Sequence, residues 1–276
     1  MNFQSRIINT FRNTFFGIIS QAILILLNFV TRTVFIKFLN ENYLGVNGLF
    51  SNILSMLSLV ELGIGSAIIY SMYKPLAKNN EKEIAALMNF YKKVYNAIGI
   101  IVTVLGILLI PFLGYIVNNT NNIENLEIIY LLFLLNTSIS YFFSYKRSII
   151  SADQKEFILS KYRMYFSFIK ALLQISVLYI TRNFLIYLIA QIMCTFLENV
   201  FVSIKADKMY PYLKVYYNEK ISSREKNKIK DNVKALTIYK IGGTLLDSTD
   251  NILISSLLNV GLVGLLSNYT LITGSL

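Results

Sequence analysis

Ionisable side chains stand inside the apolar segments of this sequence, where charge is costly and such groups usually face a wet cavity or a partner. They are Arg32, Glu61, Lys170, Glu198, Lys240, Asp247 and Asp250. A guanidinium or ammonium group binds phosphate and carboxylate, and a carboxyl group screened from water can take up and release a proton. The residue types therefore indicate anion binding and proton or cation exchange.

The spacing of the polar residues places them in stripes, because residues three, four or seven apart share one face of a helix. The stripes are Gln21, Asn28 and Arg32; Asn47, Ser51, Ser55, Ser58 and Glu61; Ser167, Lys170 and Gln174; Gln191, Cys194 and Glu198; and Lys240, Gly243, Asp247 and Asp250. We expect the first, second and seventh predicted helices to wall a polar cavity. Alternatively, the charges pair to hold the bundle together and the serines are helix contacts; for Glu198 we expect structural pairing.

The helices that carry these stripes are long and apolar. Of the 276 residues 55% are hydrophobic and 15% charged, with a mean hydropathy of +0.54, whereas a typical soluble domain is roughly 25% charged. Crossing a bilayer takes about 20 apolar residues, and the segments that qualify are 14–37, 43–72, 94–117, 126–145, 162–181, 183–204 and 233–258. An eighth begins near Gly261, and the third segment can kink at Pro111. The sequence predicts an all-α polytopic membrane protein.

The basic residues alternate between the two sides of this predicted bundle. The N-terminal tail and the second–third, fourth–fifth and sixth–seventh links hold 21 of the 26 basic residues. This is the positive-inside pattern with a cytoplasmic N-terminus, so the net charge of +11 reflects topology and we expect no nucleic-acid partner. With one cysteine and no histidine, the sequence offers neither an intrachain disulfide nor a His/Cys metal site.

Catalysis has little support in the sequence. Glu61, Asp247 and Asp250 could be imagined as paired carboxylates, but no nucleophile, metal cluster or phosphate-cradling loop accompanies them. Buried charges of both signs without a reactive group are typical of a transport path. The sequence therefore favours a transporter that is not an enzyme and that uses no cofactor.

A short phrase occurs twice, as "GLFSN" at 48–52 and as "GLLSN" at 264–268, each after a "LN" pair. Six predicted helices separate the copies, so both halves have the same orientation, and a parallel repeat with a site between two lobes is predicted. We expect a six-helix lobe at 1–204, a basic cytoplasmic linker at 205–232 and the start of a second lobe at 233–276. About four helices of the second lobe would then lie beyond this chain. The alternative is a coincidence in a sequence rich in Ile, Leu and Asn.

Three stretches resemble one family of membrane proteins. They are "FLNENYLGVNGLFSNILSMLSLVELGIGSAIIYSMYKPLA" (38–77), "YKRSIISADQKEFI" (145–158) and "DSTDNILISSLLNVGLVGLLSNYTLI" (247–272). They are similar to bacterial polysaccharide biosynthesis proteins of the O-antigen flippase (Wzx-like) type, in the multidrug/oligosaccharidyl-lipid/polysaccharide exporter superfamily. The resemblance implies a MATE-like fold of two six-helix lobes. It also implies a flippase of the bacterial cytoplasmic membrane that moves undecaprenyl-pyrophosphate-linked oligosaccharide, with polymerase and glycosyltransferases as possible partners.

Such a cargo assigns roles to the buried residues. Arg32, Lys170 and Lys240 are the candidate contacts of the anionic head group. Glu61, Asp247 and Asp250 could carry a coupling proton or sodium ion, and Asn28 and Gln21 complete the expected cavity. Two alternatives stay open: a MATE-like exporter of small cations, and a non-transporting scaffold of a polysaccharide assembly complex.

Overall fold

The computed structural model describes residues 3–61, 63–117 and 124–273, without the side chains of 3–6, 59–60, 144, 235–248 and 271–273. All regular elements within these ranges are helices. In chain order the helices are α1 Phe3–Phe38, α2 Glu41–Leu57, α3 Ile64–Ala77, α4 Glu81–Leu108, α5 Leu113–Ile116, α6 Leu126–Ala152, α7 Glu156–Thr181, α8 Phe184–Met209, α9 Tyr212–Val215, α10 Ser223–Leu257 and α11 Val260–Thr273. In the bundle α1 packs on α7, α6 on α4 and α8, α7 on α8, and α11 on α2.

Five stretches of the described chain are long and apolar enough to cross a membrane. They are Ile7–Phe38, Glu81–Ile116, Leu126–Phe143, Glu156–Thr181 and Phe184–Met209. They correspond to the first, third, fourth, fifth and sixth predicted segments. Many large apolar side chains on them are exposed, as lipid-facing surfaces require. These properties support an all-α polytopic membrane protein.

The second predicted segment, 43–72, is divided rather than continuous. Helix α2 ends at Leu57, a 3₁₀ turn covers Ser58–Glu61, and α3 begins at Ile64. Gly63 has φ 81°, in the left-handed region that glycine adopts without a steric penalty. The periodicity of the polar stripe runs through this break, so the sequence pattern does not reveal it.

The third predicted segment has its expected interruption at Pro111. Helix α4 ends at Leu108, a 3₁₀ turn covers Ile110–Phe112, and α5 follows. Proline lacks a backbone N–H and clashes with the preceding helical turn. The helix is therefore interrupted at this proline.

The stretch predicted as a linker, 205–232, is largely helical. Helix α8 continues to Met209, α9 follows, and α10 begins at Ser223. Ser222 caps α10 by accepting a hydrogen bond from the backbone N–H of Glu225, the Ser-x-x-Glu capping pattern. Three of the lysines that made this stretch look like a loop, Lys226, Lys228 and Lys230, lie in the first turns of α10.

Tyr210 anchors the α8–α9 junction. Its side chain is buried, and its hydroxyl donates a hydrogen bond of 2.8 Å to Oδ2 of Asp153. Burial, together with the Asp153 carboxylate, raises the pKa of Tyr210 well above its usual value. The hydroxyl therefore stays a donor, and it ties this junction to the α6–α7 turn.

We call the end of the bundle formed by the α3–α4, α6–α7 and α8–α9 turns the basic end. Here Lys146 lies 2.7 Å from Asp207, and Arg147 lies 2.7 Å from Glu198. Arg147 also donates a hydrogen bond to Asn199. The structural pairing expected for Glu198 is confirmed, because its carboxylate joins α8 to α6.

The two copies of the repeated phrase lie against each other. Gly48 of α2 faces Val263 and Ser267 of α11, and Gly264 of α11 faces Glu41 and Gly45 of α2. Gly45, near the start of α2, meets Val260, the first residue of α11, and Gly48 meets Val263 and Ser267 further along both helices, so the two helices run in the same direction. We call this contact, formed by Gly45, Gly48, Val260, Val263, Gly264 and Ser267, the α2–α11 seam. A Cβ atom at Gly45 would overlap the carbonyl of Val260, so the seam requires glycine there.

Candidate functional site

A polar cavity of about 240 Å³ opens between α1, α2, α7 and α8. Its lining side chains are Leu27, Asn28, Thr31, Arg32, Phe35, Leu44, Asn47, Ser51, Ser167, Lys170, Ala171, Gln174, Tyr187 and Gln191. Two of them are cations, seven carry amides or aliphatic hydroxyls, and among the described residues none that lines the cavity is acidic. The cavity is therefore positively charged.

Arg32 joins the cavity to the second copy of the repeat. Its Nε donates a hydrogen bond of 2.6 Å to Oδ1 of Asn268, and its Nη2 donates to Oγ of Ser267. Both partners are neutral, so the guanidinium keeps its full charge. Arg32 can therefore still attract an anion, which would compete with these two contacts on α11.

Lys170 is the second cation of the cavity. Its side chain is partly buried on α7, and it forms no ion pair with any residue that the structure describes. Beside it on the same helix, Gln174 is buried and donates a hydrogen bond of 3.2 Å to Oε1 of Gln191 on α8. The ammonium group of Lys170 is consequently the more available of the two cations.

The remaining predicted residues fall in several places. Asn28 lines the cavity beside Arg32 and Lys170. Gln21 and Asp250 are exposed and do not line it, and Glu61 lies in a different cluster. The side chains of Lys240 and Asp247 lie outside the described residues. Of the helices expected to wall the cavity, α1 and α2 do so, joined by α7 and α8.

Glu61 lies among tyrosines at the break between α2 and α3. The hydroxyl of Tyr95 on α4 donates a hydrogen bond to Oε1 of Glu61. Tyr91 and Tyr95 are 2% exposed, and their rings meet edge to face with centroids 4.4 Å apart. Gly65 leaves room for both hydroxyls, because a Cβ atom there would lie 2.7 Å from that of Tyr95 and 3.0 Å from that of Tyr91. The carboxyl group of Glu61 is therefore joined to α4 and does not line the cavity.

Replacing Tyr95 with phenylalanine removes the donor to Glu61 and leaves the carboxyl group without that partner. Leaving a shielded acceptor unsatisfied costs about 1–3 kcal/mol. We therefore expect Tyr95→Phe to lower the thermal unfolding midpoint in detergent, whereas Tyr115→Phe, at a tyrosine that is 83% exposed, leaves it unchanged. Equal midpoints for the two variants would contradict the role given to this hydrogen bond.

Sequence reasoning overlooked two features of these sites. Tyr187 lies one helical turn before Gln191, so extending that stripe backwards would have included it. Tyr91 and Tyr95 also share a helix face within an apolar segment, which could have marked the surroundings of Glu61. By contrast, the contact of Arg32 with Ser267 and Asn268 joins residues more than 230 positions apart, and no local pattern indicates it.

Comparison with known proteins gives no match: no family model, curated protein or solved structure is significantly similar to this chain. The class is defined by the molecule's own features. Its described elements are helices, five stretches are long and apolar enough to cross a membrane, and a positively charged cavity lies between four of the helices. These features describe an α-helical membrane protein with an internal polar cavity.

Proposed function

We propose that this protein is a flippase that moves undecaprenyl-pyrophosphate-linked oligosaccharide across the bacterial cytoplasmic membrane. The observation that carries the proposal is the pair of cations, Arg32 and Lys170, in one cavity whose described lining contains no carboxylate. Two like charges in surroundings of low dielectric repel each other and lose hydration. A pyrophosphate would relieve both costs, since it supplies negative charge and several acceptor oxygens.

The lining also discriminates between classes of cargo. An exporter of small cations needs an acidic site, and the described lining offers only cations, amides, hydroxyls and apolar groups. Asn28, Asn47 and Ser167 can exchange hydrogen bonds with sugar hydroxyls. The volume of about 240 Å³ is below the roughly 300–1,000 Å³ of a typical ligand pocket. The cavity would therefore hold the charged head group while the prenyl tail stays in lipid.

Coupling to an ion gradient would involve the cluster that Glu61 forms with Tyr91 and Tyr95. Glu61 lies apart from the cavity, at the break between α2 and α3 and next to Tyr95. Protonation of Glu61 would change the packing between this break and α4, and so the tilt of α2 that lines the cavity. From the second lobe, Lys240 on α10 is proposed to contact the same head group, and Asp247 and Asp250 are proposed to carry the coupling ion. The parallel run of α2 and α11 supports a MATE-like arrangement of two lobes related by a parallel repeat.

A reconstituted assay tests the proposal. Vesicles containing the full chain would carry a fluorescent undecaprenyl-pyrophosphate trisaccharide, and a membrane-impermeant quencher would report its appearance in the outer leaflet. We expect protein-dependent exposure of this lipid and none of the same trisaccharide on an uncharged prenyl ether. Matched vesicles loaded with a small cationic dye provide the comparison. Movement of the dye, or equal movement of charged and uncharged lipids, would contradict the proposal.

A further inference from the structure

A groove of about 410 Å³ at the basic end of α7 and α8 has no part in the cavity described above. It is lined by Phe157, Ile158, Lys161, Tyr162, Tyr165 and Lys205. Two of these residues, Lys161 and Lys205, are cations, and the other four are aromatic or aliphatic. We propose that this groove binds the head group of an anionic glycerophospholipid, whose acyl chain lies along α7.

The two lysines are available for a phosphate group. Neither Lys161 nor Lys205 is within ion-pair distance of a carboxylate among the residues that the structure describes. The nearby carboxylate of Asp207 is held by Lys146 and lies 3.8 Å from Lys214. Glu156 does not line the groove. The groove is consequently a site of unneutralised positive charge.

Packing holds Lys161 at this position. Its ammonium group lies 4.3 Å from the ring centroid of Phe16 and 5.8 Å from that of Phe157. Asn13 of α1 fixes the start of α7, because its side chain accepts a hydrogen bond from the backbone N–H of Phe157 and donates one to the carbonyl of Gln154. The cation is therefore positioned by two helices, and its remaining donors are free to bind phosphate oxygens.

An apolar stripe continues from the groove along α7. Tyr165, Phe168 and Leu172 follow Lys161 at steps of four, three and four residues, and they are 61%, 51% and 53% exposed. At 1.5 Å per residue the stripe from Lys161 to Leu172 is about 16 Å long. Half of a hydrocarbon core of about 30 Å is about 15 Å. The stripe thus matches one acyl chain in one leaflet, with the lysines at head-group depth.

Two sources of phosphate could satisfy the lysines, and the stripe favours the lipid. Basic pockets between helices at a membrane surface bind anionic head groups, and each lysine near such a surface strengthens the attraction. A free phosphate would gain nothing from Tyr165, Phe168 or Leu172. A phosphatidylcholine would match the stripe, but its head group has no net negative charge.

Native mass spectrometry of the delipidated full chain tests this site with an equimolar mixture of phosphatidylglycerol and phosphatidylcholine. We expect phosphatidylglycerol adducts to be enriched on the order of tenfold, and the enrichment to disappear in Lys161→Gln/Lys205→Gln. The matched control, Arg163→Gln/Lys208→Gln, removes two exposed cations that do not line the groove and should keep the enrichment. Equal loss in both double variants would overturn the proposal.

Two further measurements make the assignment independent of how the variants fold. A phosphatidylglycerol with a photoreactive acyl chain should label the unaltered chain within 165–172 of α7. Excess glycerol phosphate, which has the head group without acyl chains, should leave the adducts in place. Labelling confined to other helices, or displacement by glycerol phosphate, would show that the groove does not bind the lipid in the proposed way.

Discussion

Replacing Lys170 with methionine is expected to lower the rate of lipid-linked oligosaccharide transport roughly 10- to 100-fold. A hydrogen bond to a charged group contributes about 1.5–3 kcal/mol, and 1.36 kcal/mol corresponds to a factor of ten. Lys170 is a cavity cation without an ion-pair partner in the described chain, so its whole interaction with a pyrophosphate would be lost. Methionine keeps much of the side-chain length and removes the charge.

Three matched variants sharpen this test in the vesicle assay. Lys170→Arg keeps the positive charge and should retain part of the rate. Lys37→Met removes an exposed lysine of α1 that does not line the cavity, and it should transport normally. A pyrophosphate-specific loss should also appear as weaker inhibition by soluble pyrophosphate. If Lys170→Met transports at the unaltered rate with unaltered inhibition, the cavity is not the head-group site.

Cysteines at positions 48 and 267 should form a disulfide that stops transport. A Cβ atom at Gly48 would lie 3.8 Å from Cβ of Ser267, within the 3.5–4.5 Å typical of disulfides. The single native cysteine, Cys194, is buried and would be replaced by serine in the background. We expect Gly48→Cys/Ser267→Cys to cross-link under mild oxidation and transport to fall to the level of empty vesicles, with recovery on reduction. In the proposed transport cycle, alternating access would move the two repeats apart along the α2–α11 seam, and the disulfide would prevent this movement.

The control for this experiment is Gly17→Cys/Ser267→Cys. A Cβ atom at Gly17 would meet nothing within 4 Å, so this pair should remain reduced and active. The outcomes separate two claims. Failure of residues 48 and 267 to cross-link would contradict the packing of α2 on α11. Efficient cross-linking with unchanged transport would support the packing of α2 on α11 but contradict the movement of the seam during transport.

The sequence predicted features that depend on neighbouring residues better than features that depend on contacts between distant segments. Helical periodicity placed Asn28 and Arg32 on one face of α1, and Lys170 and Gln174 on one face of α7; the cavity contains all four. Local rules also anticipated the kink at Pro111. They missed the start of α10, because a helix whose first turns are rich in lysine has the composition of a loop. The capping pair Ser222–Glu225 was the available signal.

The arrangement of the helices was less accessible to sequence reasoning. Glu61 shares a stripe with Asn47 and Ser51, yet the 3₁₀ turn that contains it and its hydrogen bond to α4 separate it from their cavity. A polar stripe predicts only that its residues share one face of a helix, and this prediction holds only where the helix is continuous. The repeated phrase predicted equivalent helices of one orientation, but it did not indicate that the two copies would touch. Both facts depend on contacts between distant segments.

The two hydrogen bonds from Arg32 to α11 have a thermodynamic consequence for any carrier built in this way. An incoming pyrophosphate can engage the guanidinium fully only after Asn268 and Ser267 release it. The measured affinity would then understate the strength of the new bonds, because part of their free energy separates α1 from α11. Breaking these hydrogen bonds would also release α11, a helix of the second repeat, only when cargo is bound. A protein without cargo would then stay closed and would not let ions leak across the membrane.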